Sequence, residues 1–307
     1  MRVLLTGASS FTGYWFAQAI SRAGHQVTAA IQGNLASYAD MRKIRVERLE
    51  KFANVVENCT FGSEKFLALI SSDRFDVLCH HGARVGDYRS HDFDILAAIA
   101  ENTHELRKVC AVLSRTGASA IVSTGSVFEQ DEGAGENPLR AFSPYGLSKG
   151  LTSQIIEHRC REAELNFGKF VIPNPFGPYE EPRFCSYLIR TWKGGGIASV
   201  KTASYIRDNI HIDLLAAAYV DYVTKVVVGT APRKINPSGY VESQGAFAQR
   251  FAQEMQHRLN LPCQIDFARQ TDFSEPRVRI NTDPAAAQFP DWDECKSWDA
   301  IATFYKG

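Results

Sequence analysis

The N-terminal segment constrains the fold more than any other stretch. Val3 to Leu5 is a short apolar run, Thr6-Gly7-Ala8-Ser9-Ser10-Phe11-Thr12-Gly13 follows it, and helix-compatible residues then run to a stop at Gly24. Consecutive apolar residues with no polar alternation read as a strand buried on both faces, and glycines at both ends of a small polar stretch read as a tight turn into a helix. Such a strand is met in parallel sheets, whose strands are joined by right-handed helical crossovers.

The same texture recurs. Val27 to Ile31 is strand-like, Leu67 to Ser71 reads as the end of a helix, Phe75 to Cys79 is strand-like, Ile95 to Leu113 looks helical, and Ala120 to Ser123 is another short buried strand. Strands alternating with helices predict an α/β fold with helices on both faces of a parallel sheet. Past Gly168 the texture changes, because Pro173, Pro175, Pro178 and Pro182 forbid a regular helix. A second lobe is expected from there. The predicted organisation is residues 1–170 as the sheet domain, with 206–231 returning to it, and 171–205 plus 232–307 as a smaller, mixed α/β lobe. No internal repeat or low-complexity segment is present.

Composition excludes several function classes. Lys plus Arg and Asp plus Glu both number 34, so no excess of positive charge is available for a nucleic-acid backbone. The seven cysteines are scattered without a C-x-x-C pair, which argues against a disulfide framework or a zinc knuckle and for a reducing, cytoplasmic setting. Apolar stretches such as Leu214 to Val220 fall well short of the roughly 20 residues of a membrane span. The start of the chain lacks the pattern of a secretory signal. Neither a nucleic acid nor a membrane is expected as a partner.

A glycine turn between a strand and a helix is where a dinucleotide pyrophosphate meets helix N-terminal amides. Gly7 permits the tight turn and Gly13 the close packing of helix on strand; Ser10 stands where a third glycine is usual, to crowd the pyrophosphate or to offer it a hydroxyl. The sheet is therefore expected to be Rossmann-like and doubly wound. The second strand ends Ile31-Gln32-Gly33-Asn34, with no acid to hold the adenine ribose. Gln32 selects neither NAD nor NADP, and Arg42, Lys43 and Arg45 are nearby cations; both cofactors stay open.

Tyr145-Gly146-Leu147-Ser148-Lys149 follows Pro144 and opens an amphipathic segment. Tyr145 and Lys149 are four apart and share a helix face. A phenol has a pKa of about 10 and is a poor base at neutral pH, but an adjacent ammonium favours its phenolate. The pair alone is common on solvated helices. A second element gives it weight: Ser123-Thr124-Gly125-Ser126 lies past the Ala120 strand, at the carboxyl end where ligands bind open parallel sheets.

On these motifs the chain resembles the extended short-chain dehydrogenase/reductase family, the nucleotide-sugar epimerases, dehydratases and ketoreductases. The resemblance also takes in Phe75-Asp76-Val77-Leu78-Cys79-His80, Asn102, the Ser123 to Phe128 stretch, Asn174-Pro175-Phe176-Gly177-Pro178 and Arg207-Asp208-Asn209-Ile210-His211-Ile212-Asp213. It implies an NAD- or NADP-dependent enzyme in which Thr124, Tyr145 and Lys149 are catalytic. Cofactor contacts are implied at Gly7, Ser9, Ser10, Phe11, Thr12, Gly13, Gln32, Ala83, Asn102, Ser123, Tyr145 and Lys149. A nucleotide sugar is implied as the substrate, held by Arg84, Ser126, Asn174, Arg207, Arg269 and Asp272, with Arg183, Arg277 and Arg279 as alternative cations. Guanidinium suits a diphosphate because it is a fixed fork of donors. A homodimer is implied, paired through the helices of Ile95 to Leu113 and Tyr145 to Leu165.

Family dehydratases carry an Asp and a Glu directly after the catalytic threonine. Here those positions are Gly125 and Ser126, which points to 4-keto reduction or C4 epimerisation rather than 4,6-dehydration. A dinucleotide-sensing protein without chemistry is the rival reading, opposed by the intact Tyr145 and Lys149. His80 and His81 are adjacent on a strand and point to opposite faces, so no metal site is expected from them. Trp15, Trp192, Trp292 and Trp298 are expected to pack.

Overall fold

A computed structural model describes residues 1–136, 139–271 and 273–306. In order, the elements are β1 (Arg2–Thr6), α1 (Phe11–Arg22), β2 (Gln26–Ala30), α2 (Asp40–Leu49), β3 (Asn54–Val56), α3 (Glu64–Ser72), β4 (Val77–His80), α4 (Ile95–Asn102), α5 (Leu106–Thr116) and β5 (Ala120–Ser126). Next come β6 (Ala134–Gly135), α6 (Pro144–Glu162), β7 (Asn166–Ile172), β8 (Asn174–Phe176), α7 (Phe184–Lys193), β9 (Ala198–Val200), β10 (Ile206–His211), α8 (Ile212–Val227) and β11 (Lys234–Ile235). The last are β12 (Pro237–Ser238), β13 (Tyr240–Ser243), α9 (Gln244–Leu259), β14 (Ile265–Phe267), β15 (Val278–Ile280), β16 (Asp283–Pro284), α10 (Ala285–Gln288) and α11 (Glu294–Lys306).

One compact unit comprises Met1–Glu132, Arg140–Ile172 and Ala216–Asn236. Its sheet has seven strands in the order β11-β7-β5-β4-β1-β2-β3, parallel at every pairing. This is the Rossmann-like, doubly wound sheet. Strand order reverses between β1 and β4, and such a switch point opens a crevice at the carboxyl ends of the strands.

Alternation along the strands assigns the two faces. Leu4, Leu78 and Ile121 join Phe66, Ile70, Val109, Cys110, Leu113, Ile156 and Cys160 in one buried cluster, so α3, α5 and α6 cover that face. On the other face Phe16 of α1 stacks on Tyr219 of α8 at 3.8 Å, and Phe170 of β7 meets Tyr219 edge-on at 4.9 Å. Six of the seven cysteines are buried; Cys295, in the first turn of α11, is exposed.

The expected helix from Ile95 to Leu113 is two helices. The chain breaks at Thr103–Glu105, where Glu105 has φ +50°, and the His104 carbonyl occupies the place that a side chain on Gly62 would take. The break leaves the Asn102 carbonyl outside the helix ladder, and His80 takes it at 3.0 Å.

The second unit comprises Gly133–Leu139, Pro173–Leu215 and Pro237–Gly307. A mixed sheet ordered β13-β10-β15-β6, with β8 also on β10, is its backbone. Phe176, Leu188, Ile189, Trp192, Phe247, Phe251, Met255 and Trp298 form its core. The prolines from 173 to 182 permit one short strand, β8, and no helix before Phe184. The return to the first unit, expected at 206, begins at Ala216: β10 pairs with β13, β15 and β8, and the chain changes units within α8.

Candidate active site

The N-terminus of α6 is built for a sharp start. Ser143 caps it by accepting from the Gly146 amide at 3.3 Å, and Pro144 presets the first helical φ. Tyr145 therefore stands on the first turn and Lys149 on the next. The Tyr145 ring is half-buried between Phe93 and Tyr88, edge-on to both at centroid distances of 5.8 and 6.3 Å. Lys149 is 6% exposed. Burial pulls its pKa below the usual lysine value; Glu129 opposes this pull and Lys169 adds to it.

Thr124 and Ser123 lie at the carboxyl end of β5, and alternation sends them to opposite faces. Ser123 is on the α6 face. Thr124, 3% exposed, is paired with Phe170, and its hydroxyl lies beside the Tyr219 phenol, which also neighbours the Cys79 thiol. Ser126 turns back on its own loop: its hydroxyl accepts from the Phe128 amide at 3.2 Å and its amide donates to Glu129 at 2.7 Å.

The glycine turn sits at the switch point. Gly7 has φ +72°, and a Cβ there would stand 2.7 Å from the Gly82 amide, so β1 and β4 leave their strands with backbones nearly touching. Ser10 caps α1 by accepting from the Gly13 amide at 3.1 Å. The amides of Phe11 and Thr12 open the helix with no intrahelical acceptor, which suits an anionic pyrophosphate. Ser10 Oγ and Thr12 Oγ1 lie 3.0 and 2.9 Å from His81 Nε2. Both hydroxyls thus converge on one ring nitrogen and tie the glycine turn to the end of β4. Burial foremost, then Lys149 and His80, push the His81 pKa down to about 3.

His80 points to the other face. Its Nε2–H donates to the Asn102 carbonyl, and its Nδ1, 3.1 Å from Thr6 Oγ1, accepts from that hydroxyl, which itself accepts from the Gly82 amide at 2.9 Å. Burial first, with Lys149 assisting, pushes its pKa down to about 4 against the Asn102 bond. Asn102 accepts from the Arg84 amide at 2.9 Å and donates to Thr152 at 3.5 Å, tying the segment after β4 to α6. Ala83 is half-buried beside Gly82. Among the described residues no group of three His, Cys, Asp or Glu side chains forms a metal site.

The β2 tip leaves Gln32 exposed, while the Gly33 amide donates to the Tyr38 phenol at 3.0 Å. Of the three nearby cations, Arg42 lies over the Tyr38 ring and Lys43 pairs loosely with Glu47. Arg45 is 0% exposed, its Nε donating to the Ser9 carbonyl at 3.0 Å.

The proposed substrate ligands are spread over both units. In the first, the Arg84 guanidinium pairs with Glu101 at 2.5 Å. In the second, Asn174 donates to the Asp208 carbonyl at 3.1 Å. Arg207 is committed locally: it donates to the carbonyls of Ile206 and Pro276, pairs with Glu275 at 2.9 Å and covers the Tyr205 ring at 4.4 Å. Its neighbour Asp208 is a buried staple, accepting from the amides of Gly239 and Asn281. Arg269 is exposed; Asp272 lies outside the described residues.

Sequence reasoning missed a buried charge cluster under α6, made of Glu129, Glu132 and Lys169. Its one signal is Lys169 within the apolar run Phe167 to Ile172, since a charge inside a strand requires a partner.

Over its whole length the fold is similar to that of several solved nucleotide-sugar enzymes. UDP-glucose 4-epimerase from Thermotoga maritima, solved with UDP-glucose, superposes with a TM-score of 0.74 at 15% identity, covering 100% of this chain and 99% of that chain. UDP-glucuronic acid 4-epimerase from Bacillus cereus, in complex with UDP-glucuronic acid and NAD, gives 0.73 at 15% identity with the same coverage. UDP-glucose 4-epimerase from Thermus thermophilus, in complex with NAD, gives 0.74 at 15% identity, again with that coverage. In sequence, no curated protein matches the chain. Residues 3–236 match the family model described as the NAD dependent epimerase/dehydratase family, and with that match over most of its length the chain belongs to the NAD-dependent epimerase/dehydratase family.

Proposed function

We propose that the protein is an NAD-dependent enzyme acting on a nucleotide-activated sugar, by C4 epimerisation or 4-keto reduction. The observation that carries this reading is a half-buried Tyr145 one helical turn from a nearly fully buried Lys149, in a family named for this cofactor. The similar folds of 4-epimerases solved with UDP-sugars support the substrate class. Gly125 and Ser126, in place of an acidic pair, weigh against dehydration.

The Gly7–Gly82 contact and the free amides of Phe11 and Thr12 fit a dinucleotide pyrophosphate. When bound, NAD supplies the hydride acceptor and donor. Tyr145 takes the proton of the sugar hydroxyl as that carbon is oxidised and returns it on reduction. The Lys149 ammonium favours the phenolate. Thr124 steadies the sugar oxygen, Ser126 contacts the sugar, and guanidinium groups suit the diphosphate.

A homodimer paired through α4, α5 and α6 belongs to the same reading, supported by the exposed Leu96 on α4 and Ile155 on α6. Cytoplasmic residence is proposed with it; no described helix is long and apolar enough to cross a membrane.

The test is a panel of nucleotide sugars assayed with the purified protein. An epimerase keeps its NAD through purification and interconverts sugars without net absorbance change at the nicotinamide band, whereas a reductase consumes reduced cofactor. Tight binding of NAD with no turnover of any nucleotide sugar would sink the proposal in favour of a dinucleotide sensor.

A further inference from the structure

The turn after β5 carries a group that the reaction above does not use. Glu129 is 0% exposed. One of its oxygens accepts from the Ser126 amide at 2.7 Å, and the other lies 2.6 Å from the Lys169 ammonium on β7. Lys169 also meets Glu132 at 2.5 Å, and Glu132 in turn binds Lys234 at 2.8 Å and accepts from Asn236 at 3.1 Å. Buried charge is tolerated only where it is paired and hydrogen-bonded. Here two carboxylates balance two ammoniums, and Lys149 stands beside them as a further buried cation.

The turn is packed against the part of α6 that carries Lys149. Gly146 and Gly150 bracket that lysine, and neither has room for a Cβ, because the Phe128 carbonyl and the Gln130 side chain press on them. Glu129 lies between those two residues in sequence. Gly125 closes the enclosure: a Cβ there would stand 2.7 Å from Lys169 Cε and 3.1 Å from Glu129 Oε1.

The titratable groups around Lys149 come from several elements. Glu129 and Lys169 come from the turn and from β7, His80 and His81 from the end of β4, and Tyr145 from α6 itself. From α4 comes the uncharged amide of Asn102, bonded to Thr152, and Cys110 of α5 meets Cys160 further along α6. Within this set Glu129 is the carboxylate that opposes the loss of the Lys149 proton, while burial and Lys169 promote that loss. Burial likewise pushes Glu129 up, and both lysines oppose it.

We propose that Glu129 is a positioning residue for Lys149, an internal counter-charge that acts from beneath the helix and keeps the ammonium charged beside Tyr145. It does so twice over, by attracting the Lys149 proton and by neutralising Lys169, which would otherwise repel it. This deepens the function proposed above and rests on it for its catalytic meaning.

The test is a titration of the full-length, NAD-loaded protein by NMR with lysine labelled at Cε, the Lys149 signal being assigned by its absence in Lys149→Arg. In Glu129→Gln the Lys149 midpoint should fall by about one pH unit or more, and the alkaline limb of kcat/KM should move down with it. Glu132→Gln, which strips Lys169 of one partner but leaves Glu129 in place, should lower the midpoint by less than Glu129→Gln does, and Glu129→Asp should restore it. A Lys149 midpoint identical in wild type and Glu129→Gln overturns the proposal. A midpoint that falls while the rate profile stays fixed upholds the counter-charge and overturns the catalytic role given to Lys149. If Glu129→Gln does not fold, Lys149→Met reads the same coupling from the other side, because coupling is reciprocal. The Glu129 carboxyl midpoint should then rise by a similar amount, and an unmoved midpoint overturns the proposal.

Discussion

The Ser10 hydroxyl lies 3.0 Å from His81 Nε2, on the inner side of the glycine turn, where the imidazole also meets the edge of Phe16 at 5.3 Å. The serine that replaces the third glycine thus spends its hydroxyl on the protein. Ser10→Ala should lose the α1 cap and the His81 bond, lowering stability by about 1–2 kcal/mol. NAD affinity should stay within about threefold, well under 1 kcal/mol. Thermal unfolding and a cofactor titration check both; a large loss of affinity at unchanged Tm would show that the hydroxyl serves the pyrophosphate instead.

Tyr145→Phe removes one oxygen and leaves the ring in place between Phe93 and Tyr88. Turnover of the nucleotide sugar should fall by about 10²–10⁴-fold, the usual size of a general acid–base contribution. NAD retention should be nearly unchanged. Unaltered kcat would remove Tyr145 from the mechanism.

Gly125 is held small by Lys169 and Glu129. Gly125→Ala should destabilise the protein by about 1–3 kcal/mol through overpacking. Gly125→Asp should be worse, because it adds a third carboxylate to an enclosed pair. Chemical denaturation of the two variants ranks them, and a Gly125→Asp protein as stable as wild type would show that the enclosure is loose.

Acid should weaken the fold early. His80 and His211 are buried, His81 is partly buried, and desolvation pushes their pKa values from 6.5 to about 4, 4 and 3 respectively. The unfolded chain binds these protons near pH 6.5 and the folded protein does not. Stability is therefore full above pH 6.5 and is lost as the pH falls towards 4, by up to about 1.4 kcal/mol per pH unit for each histidine. A Tm that is flat between pH 7 and pH 5 would contradict this.

Alkaline conditions should act through Glu180. It is buried in the second unit, accepts from the Ser186 amide at 3.0 Å, and is pushed up to about 8 by desolvation from an ordinary value of 4.5. It is protonated when folded at neutral pH and ionised when unfolded. Its contribution is whole below pH 4.5 and declines as the pH rises to about 8, again by about 1.4 kcal/mol per pH unit. Glu180→Gln should flatten the fall in Tm between pH 6 and pH 8 relative to wild type.

The sheet was legible because β1, β2, β4 and β5 are apolar on both faces and glycine marks the turn after β1. Strands β3 and β11, of three and two residues, carry too little pattern to be seen, and β7 was hidden by Lys169. The helix break at Glu105 coincides with a close approach of His104 to Gly62, forty-odd residues away in sequence, which no local period reports. Tyr145 and Lys149 could be placed on one face because four residues make a helical turn. That Arg207 is spent on Glu275, and that Glu129 and Lys169 share a buried enclosure, depend on chain segments far apart in sequence.

The distribution of the cysteines has a practical consequence. Six thiols are packed away and one, Cys295, stands open at the start of α11. Towards a bulky maleimide the folded chain should thus behave as though it had a single cysteine, far in sequence from Tyr145 and Lys149. A fluorophore or spin label can be carried there without removing any native residue, and uptake of further label becomes a direct clock for unfolding.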